Sequence, residues 1–216
     1  MHRYLITGTD TDVGKTRVTA ALALALRNAA PEEPPTVVKL VQTGLAAGVP
    51  GDAARAGRLA GVRYLEFARF EKAADPFSAA LAQGAPAVNA RELADALAAI
   101  DAPLVAEGAG GIMVPLNADE HFGHVAMLAE LRAIIVVGLR LGCLNHALLT
   151  LMLCRQCRIP VAGAVLVDRF GPSEPEYLAD VRRTLQGKLE ILGILPFATD
   201  EAASVQAGSQ LFSALT

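Results

Sequence analysis

A glycine-rich loop that follows the first apolar segment constrains the fold of this chain more than any other feature. The loop begins at Gly8 and closes with the Gly-Lys-Thr sequence at 14–16, directly after a strand predicted over residues 4–7. Glycines in such a loop let successive backbone N–H groups point toward phosphate oxygens, and the dipole of the following helix adds positive charge. The pattern predicts a P-loop and therefore a nucleotide-binding α/β fold.

The side chains that end the loop have the chemistry that a nucleoside triphosphate requires. Lys15 can neutralise β- and γ-phosphate oxygens, and the Thr16 hydroxyl can ligate Mg²⁺. Five residues separate Gly8 from Gly14, one more than in the usual spacing, so the loop is longer by one residue. The predicted nucleotide contacts are consecutive: Asp12, Val13, Gly14, Lys15, Thr16 and Arg17.

Short β-branched segments alternate along the chain with longer Ala- and Leu-rich segments of helical period. This alternation indicates βαβ crossovers, and so a parallel sheet. We predict an α/β P-loop NTPase fold, with a mainly parallel central sheet covered by helices on both faces, in a single domain over residues 1–216. The predicted strands cover 4–7, 36–40, 104–107, 134–138, 161–167 and 191–195, and the predicted helices 15–28, 52–60, 90–100, 145–157 and 175–185, the last with Ser173 as its N-cap.

The composition excludes several classes of protein. With 53% hydrophobic and 19% charged residues, the chain is too apolar for a disordered protein. Its apolar runs are much shorter than the ~20 residues that cross a bilayer, and a net charge of -3 offers no basic face to nucleic acid. The N-terminus lacks the apolar core of a signal peptide, and 3 cysteines are an odd number. We therefore expect a cytoplasmic protein with reduced thiols and with neither a membrane nor a nucleic-acid partner.

Four segments, taken together, carry a more specific pattern. They are the 8–16 loop, Gly-Thr-Asp-Thr-Asp-Val-Gly-Lys-Thr; residues 39–44, Lys-Leu-Val-Gln-Thr-Gly; residues 107–111, Glu-Gly-Ala-Gly-Gly; and residues 136–147, which contain Leu-Gly-Cys-Leu-Asn-His. In this order they resemble the dethiobiotin synthetases, whose loop has the same extra residue and whose later segments read Lys-Pro-Val-x-Ser/Thr-Gly, Glu-Gly-Ala-Gly-Gly and Val-Gly-x-x-Leu-Gly-x-x-Asn-His. The resemblance covers nearly the whole chain.

The resemblance implies an enzyme, an ATP-dependent cyclo-ligase of biotin biosynthesis. Family members join 7,8-diaminopelargonate, CO₂ and ATP, through a carbamate and a carbamic-phosphoric anhydride, to give dethiobiotin, ADP and phosphate. A carbamate and a triphosphate repel each other, so bridging cations are needed. The implied catalytic residues are Lys39, Lys15 and Thr11, and the implied Mg²⁺ ligands are Thr16, Asp52 and Glu107.

The same resemblance implies where the organic substrate binds. The segment that begins at Gly142 opens a helix, whose free N–H groups suit a carboxylate. In the family this segment comes from the neighbouring subunit, which implies a homodimer with the active site at the interface. The implied substrate-binding residues are Thr43, Gly110, Gly142, Cys143, Leu144 and Asn145.

The nucleobase site departs from the family's pattern. Val167, followed by Asp168, stands where the family often has an asparagine that reads the adenine edge. The base would then rest on backbone groups near Pro196, Phe197 and Ala198. ATP is the expected co-substrate, with Mg²⁺ as cofactor, and other nucleoside triphosphates stay open.

Two other functions also stay open. One is a regulatory P-loop switch ATPase of the partitioning type. The absence of that class's signature lysine from residues 9–12 argues against it. The other is a related ATP-dependent amide ligase, such as those of cobalamin synthesis, whose chains normally carry a glutaminase domain.

One loop, one cysteine pair and one histidine pair lie outside these motifs. The Gly/Ala/Pro-rich stretch 44–51 is expected to be a mobile active-site loop. Cys154 and Cys157 have no second pair, and His121 and His124 have no accompanying ligand set. We expect thiols that bind no metal and solvated histidines.

Overall fold

The computed structural model describes residues 2–216. Its strands are β1 Arg3–Gly8, β2 Thr36–Thr43, β3 Tyr64–Phe70, β4 Leu104–Gly111, β5 Arg132–Gly138, β6 Val161–Val167 and β7 Ile191–Leu195. Its helices are α1 Lys15–Ala29, α2 Asp52–Ala60, α3 Pro76–Ala82, α4 Ala90–Ala98, α5 Phe122–Leu128, α6 Cys143–Gln156, α7 Pro175–Leu185 and α8 Glu201–Ser209.

The strands form one 7-stranded sheet in the order β3-β2-β4-β1-β5-β6-β7. Every pairing between neighbouring strands is parallel. Parallel neighbours need crossover connections, and helices supply them here, as the alternation along the chain predicts. The predicted α/β fold with a mainly parallel sheet is confirmed.

Helices cover both faces of the sheet because successive strand residues point to opposite sides. Ile6 belongs to a core shared with α1, α2 and α8, whereas its neighbour Leu5 belongs to a second core with α3, α4 and α5. A third core joins the β5 and β6 residues to α6 and α7. Four of the five alanines of α1 are buried, which is what close packing of a helix on a sheet favours. Within residues 2–216, no helix is both long and apolar enough to cross a membrane.

The strand order places a crevice above β1. Its two neighbours are β4 on one side and β5 on the other, so the chain runs in opposite directions across the sheet from this strand. In open α/β sheets, ligands bind at the carboxyl ends of strands where the order reverses in this way. The P-loop follows β1 at that point.

Four elements, β3, α3, α5 and α8, are not anticipated by the predicted pattern. β3 is an edge strand whose residues are mostly half-buried, and it mixes Glu66 and Arg69 with aromatics, so it lacks the continuous apolar run of a central strand. α3 and α5 have 7 residues each, too few for a clear helical period. α8 begins after Asp200, whose side chain accepts from Ala203 N, yet its sequence is barely amphipathic.

Two local predictions are wrong. Glu174, and not Ser173, occupies the N-cap of α7, because the Ser173 hydroxyl donates to Asp168 instead. His121 and His124 are half-buried and not solvated: each ring nitrogen Nδ1 accepts a backbone N–H, and together they form the capping box of α5. The three cysteines, all in the described part of the chain, are free thiols.

Candidate active site

An open cleft of about 800 Å³ lies at the carboxyl ends of β1, β2 and β4. The predicted residues that line it are Thr11, Asp12, Gly14, Lys15, Thr16, Arg17, Lys39, Thr43, Asp52, Glu107, Gly110 and Ala198. The other predicted site residues, all within residues 2–216, are not part of this lining: Val13, Gly142, Cys143, Leu144, Asn145, Pro196 and Phe197.

The P-loop owes its shape to two left-handed residues and a buried anchor. Gly14 has φ 100, and a Cβ on it would lie 3.0 Å from the Val167 side chain, so glycine is required by conformation and by space. Asp12 also has positive φ, at 57. Val13 is buried under the loop, where Gly138 leaves room for it, so it supports the loop and does not face the cleft. The first N–H groups of α1 have no helical acceptor and are free for phosphate.

Lys15 is the first cation of the cleft. Its ammonium donates to the Asp10 carbonyl at 3.0 Å, which holds the side chain back over its own loop. Burial lowers the pKa of Lys15, while the carboxylate of Glu107 acts to raise it. The loop therefore presents a poorly hydrated positive charge, which an incoming phosphate would stabilise.

Lys39 is the second cation and lies at the centre of a buried ion cluster. Its Nζ donates to Asp52 Oδ2 at 2.5 Å, to Glu107 Oε1 at 2.8 Å and to the Gly108 carbonyl at 3.1 Å, so all three ammonium protons have acceptors. Burial acts to lower the pKa of Lys39, but the Glu107 and Asp52 carboxylates outweigh it and raise that pKa. In the same way, burial acts to raise the pKa of Asp52 and Lys39 lowers it overall.

Hydroxyl groups complete the surroundings of Glu107. Thr16 Oγ1 donates to Glu107 Oε1 at 3.0 Å, and Thr19 Oγ1 donates to Oε2 at 2.7 Å. Glu107 is 1% exposed, and both of its carboxylate oxygens accept hydrogen bonds. Such bonds allow a charged group to be buried. Thr19 has no role in the predicted site, although it lies four positions beyond the start of the P-loop helix and donates to the same carboxylate.

The donor set suits a hard divalent cation. Oxygens of Thr16, Asp52 and Glu107 converge on one region, and the Lys39 ammonium already serves there as a positive charge between both carboxylates. Mg²⁺ prefers such oxygens and completes its shell with water and phosphate. Within residues 2–216, no three His, Cys, Asp or Glu side chains are grouped for a metal, so bound phosphate would have to share in holding the cation.

The N-terminus of α6 does not line the chain's own cleft. Gly142 caps the helix with φ 93, and the preceding Leu141 is 95% exposed. Cys143 is buried, its Sγ lies 3.3 Å from the Tyr177 hydroxyl, and its backbone N–H donates to the Arg140 carbonyl at 3.0 Å. A ligand could use that N–H only by competing with this bond, whereas Gly142 is exposed at the surface of the single chain.

The far end of the cleft is built around Arg17. Its Nη1 donates to the Pro196 carbonyl at 3.5 Å and to Ser204 Oγ at 3.3 Å, which ties α1 to the β7–α8 connection. Val167 is fully buried beneath Gly14, so its side chain cannot contact a base directly. The predicted base-binding stretch reaches the cleft only through Ala198.

Several residues that line the cleft have no role in the sequence-based predictions. Arg55 of α2 and Glu201 of α8 form an ion pair of 2.8 Å, which only tertiary structure could reveal because the residues are far apart in the chain. Gln42 could have been identified from the sequence as a candidate site residue, since it lies within the family-like segment 39–44. The remaining polar ones are Asp75, Arg169 and Thr199.

Comparison with known proteins addresses the family directly. A family model described as an AAA domain matches residues 2–203. The ATP-dependent dethiobiotin synthetase of Anaeromyxobacter dehalogenans is 37% identical, over 99% of this chain and 98% of that protein. This chain belongs to the dethiobiotin synthetase family. The dethiobiotin synthetases of Rhodococcus jostii, 35% identical over 97% of this chain and 92% of theirs, and of Salmonella typhi, 31% identical over 90% and 91%, support the same membership.

Solved structures show how this dethiobiotin synthetase family member folds. A ParA family ATPase from Chlorobium tepidum has a TM-score of 0.60 at 16% identity and covers 99% of this chain and 93% of that one. The cell division ATPase MinD of Pyrococcus furiosus also has a TM-score of 0.60, at 17% identity over both full chains. At such identities the likeness extends to the P-loop fold alone, so it lends no support to the switch-ATPase alternative.

Proposed function

We propose that this chain is an ATP-dependent dethiobiotin synthetase. It would close the ureido ring of 7,8-diaminopelargonate with CO₂, converting ATP to ADP and phosphate, with Mg²⁺ as cofactor. The observation that carries the proposal is the meeting of Lys15, Lys39, Asp52 and Glu107 in one cleft of a chain of this family.

The proposed reaction has three chemical steps. An amine of the substrate adds to CO₂ and loses a proton to give a carbamate. A carbamate oxygen attacks the γ-phosphorus, ADP leaves, and a carbamic-phosphoric anhydride forms. The second amine then attacks the carbamoyl carbon, the C–O bond to phosphate breaks, and the ring closes. The second step brings two anions together, and the third brings an amine to an anionic anhydride, so the protein's main tasks are positioning and neutralisation.

The two lysines take the cationic roles in this proposal. Lys15 emerges from the P-loop beneath the expected β- and γ-phosphates, and Lys39 approaches from β2. Because all three protons of Lys39 already have acceptors, it must give up one of those bonds to reach a phosphoryl oxygen. Thr11 and Thr43 border the same cleft and would hydrogen-bond carbamate or phosphate oxygens, with Gly110 N–H beside them.

Thr16, Asp52 and Glu107 would hold the Mg²⁺. When bound, the cation would neutralise charge that develops on the transferring phosphoryl group. The Lys39 ammonium lies between the two carboxylates and offsets part of their negative charge, which lowers the cost of burying Glu107.

The substrate carboxylate would bind to a second copy of the chain. The Gly142 and Leu144 N–H groups and the Asn145 side chain lie outside the chain's own cleft, which leaves them available to a neighbour. On the same helix, Leu149 is 51% and Met152 59% exposed, an apolar surface that a homodimer interface would cover. The homodimer with shared sites is part of the proposal.

The nucleotide site is proposed to accept ATP and to discriminate weakly between bases. Residues 12–17 would bind the phosphates, and backbone groups of Pro196, Phe197 and Ala198 would approach the base. Val167 is buried and cannot read a base edge, so CTP and GTP should compete with ATP. A single domain over 1–216 in the cytoplasm completes the proposal, and free cysteines are consistent with a reducing compartment.

The deciding experiment measures phosphate release with ATP and Mg²⁺ while diaminopelargonate and bicarbonate are added singly and together. We expect turnover only with both, and dethiobiotin in equal amount to phosphate. Turnover that needs neither would overturn the assignment, and stimulation by DNA or lipid vesicles would favour a switch ATPase. The same assay with CTP and GTP tests base selectivity.

A further inference from the structure

The side chain of Gln42 connects strand β2 to the start of helix α2, although no step of the proposed reaction uses it. Gln42 lies on β2, three positions after Lys39, and is 5% exposed. Its Oε1 accepts from the backbone N–H of Asp52 at 2.9 Å, and its Nε2 donates to the Thr43 carbonyl at 3.1 Å. Both ends of the amide are therefore engaged by residues that line the cleft.

The bond to Asp52 replaces a helix cap that the chain does not otherwise supply. The N-cap of α2 is Gly51, which has no side chain to accept a first-turn N–H group. Gln42 supplies that acceptor from the neighbouring strand. A Cβ on Gly51 would lie 2.7 Å from Gln42 Oε1, so only glycine lets the strand side chain approach the helix start this closely.

An ion pair on β3 also lies close to the start of α2. Arg69 and Glu66 of β3 form a two-pronged bond, with Nε to Oε1 at 2.6 Å and Nη2 to Oε2 at 2.9 Å. A Cβ on Gly51 would also lie 2.6 Å from Glu66 Oε2. The start of α2 thus lies between Gln42 and the Glu66–Arg69 pair.

The position of the Asp52 carboxylate depends on this arrangement. Its Oδ2 meets Lys39 at 2.5 Å, but that side-chain contact can form only if the first residue of α2 is placed correctly. Asp52 is also the least buried member of the cluster, with 32% of its side chain exposed against 3% for Lys39. Lys39 and Thr16 contact the Asp52 side chain, whereas Gln42 holds its backbone N–H.

We propose that Gln42 is a positioning residue that sets the Asp52 carboxylate for the divalent cation by capping α2. The inference rests on the proposed function, in which Asp52 is a metal ligand. Removing groups that orient a ligand commonly weakens metal binding by about tenfold or more.

The test measures Mn²⁺ affinity by calorimetry on the ADP-bound full chain, which needs no turnover. Gln42→Met keeps the side-chain length and removes both hydrogen bonds, and it should weaken Mn²⁺ about tenfold with unchanged ADP affinity. Gln42→Glu keeps an acceptor for the Asp52 N–H and should bind Mn²⁺ more tightly than Gln42→Met. Gln83→Met is the matched control, since Gln83 Oε1 accepts the Glu71 N–H at 2.6 Å outside the cleft lining.

A double-mutant cycle with Asp52→Asn separates positioning from general destabilisation. If Gln42 acts through Asp52, Gln42→Met should cost no further Mn²⁺ affinity once Asp52 is Asn. An equal loss in both backgrounds, or none in either, would overturn the inference while leaving the proposed function intact. If Asp52→Asn itself leaves Mn²⁺ affinity unchanged, the proposed metal site fails, and this inference fails with it.

Discussion

Lys39 and Glu107 are register partners on the neighbouring parallel strands β2 and β4, and their side chains meet at 2.8 Å with only 3% and 2% of their surfaces exposed. A buried pair of this kind compensates the cost of removing two charges from water only while both partners remain. Since Asp52 shares the Lys39 ammonium, the cluster carries one positive charge against two carboxylates. The remaining negative charge is what would attract a divalent cation.

We predict that Lys39→Met abolishes turnover but not nucleotide binding. Lys39 is the cation beside the reacting groups, whereas the P-loop amides and Lys15 provide most phosphate contacts. Loss of a group that stabilises transition-state charge lowers kcat by at least about 10²-fold. Steady-state rates and calorimetry with a non-hydrolysable ATP analogue measure the two effects, and exposed Lys72→Met is the control. Near-parent turnover in Lys39→Met would remove Lys39 from the mechanism.

We predict that the Lys39–Asp52 pair stabilises the fold across neutral pH and loses its effect in acid. Lys39 lowers the folded-state pKa of Asp52, so this contribution is complete above the unfolded value of about 3.9 and disappears as pH falls through the folded-state pKa. The raised pKa of Lys39 extends the alkaline limit, because its contribution is complete below about pH 10.4 and is lost only as pH rises through the higher folded value.

Urea unfolding of the parent and Asp52→Asn from about pH 2.5 to 9 checks this window. The difference in unfolding free energy should be constant between about pH 5 and 9 and shrink below about pH 4. Asp180→Asn, which removes the exposed pair with Arg183, should show a difference within about 1 kcal/mol throughout. A difference for Asp52→Asn that grows toward acid pH contradicts the prediction.

We predict that Gly14→Ala abolishes nucleotide binding, because the new methyl group adds a steric clash to the conformational strain of the backbone. The left-handed backbone costs a non-glycine residue about 1–2 kcal/mol, and the new Cβ would press on Val167 at 3.0 Å. Gly187→Ala is the matched control, because Gly187 has φ 73 but open space around it. Thermal unfolding and ADP affinity distinguish the two: only Gly14→Ala should lose ADP binding, and equal ADP affinities would contradict the role of the loop.

We predict that Met152→Glu on the exposed face of α6 gives a monomer that binds ATP but does not turn over. Sedimentation velocity reports the assembly, and exposed Leu81→Glu, on α3, is the control. Shared sites have a sharper signature: inactive Lys39→Met and Asn145→Ala chains, when refolded together, should recover about a quarter of parental activity, because mixed dimers contain one complete site. No recovery in a mixture shown to form mixed dimers would mean that each chain builds its own site.

Local sequence was sufficient to predict most of the framework. The P-loop, the central strands and the long helices depend on the glycines, apolar runs and helical periods of contiguous residues, so they can be predicted without knowledge of the rest of the chain. β3 was not predicted because it is a half-exposed edge strand, and Glu66 and Arg69 interrupt its apolar pattern. The His121–His124 capping box was missed for a related reason, since a half-buried histidine pair has the same sequence as a solvated one.

The candidate site divides in the same way. The family resemblance of the sequence points to Lys39, Asp52 and Glu107, but not to their contacts. Strand order and register decided that Lys39 pairs with Glu107 and uses all three of its protons, and that Gln42 caps a helix ten residues away. Which residues line a strand is determined by chain neighbours, whereas which side chains meet is determined by the packing of strands and helices that lie far apart in the chain. That is why the chemistry of this cleft could be anticipated from sequence while its geometry required the fold.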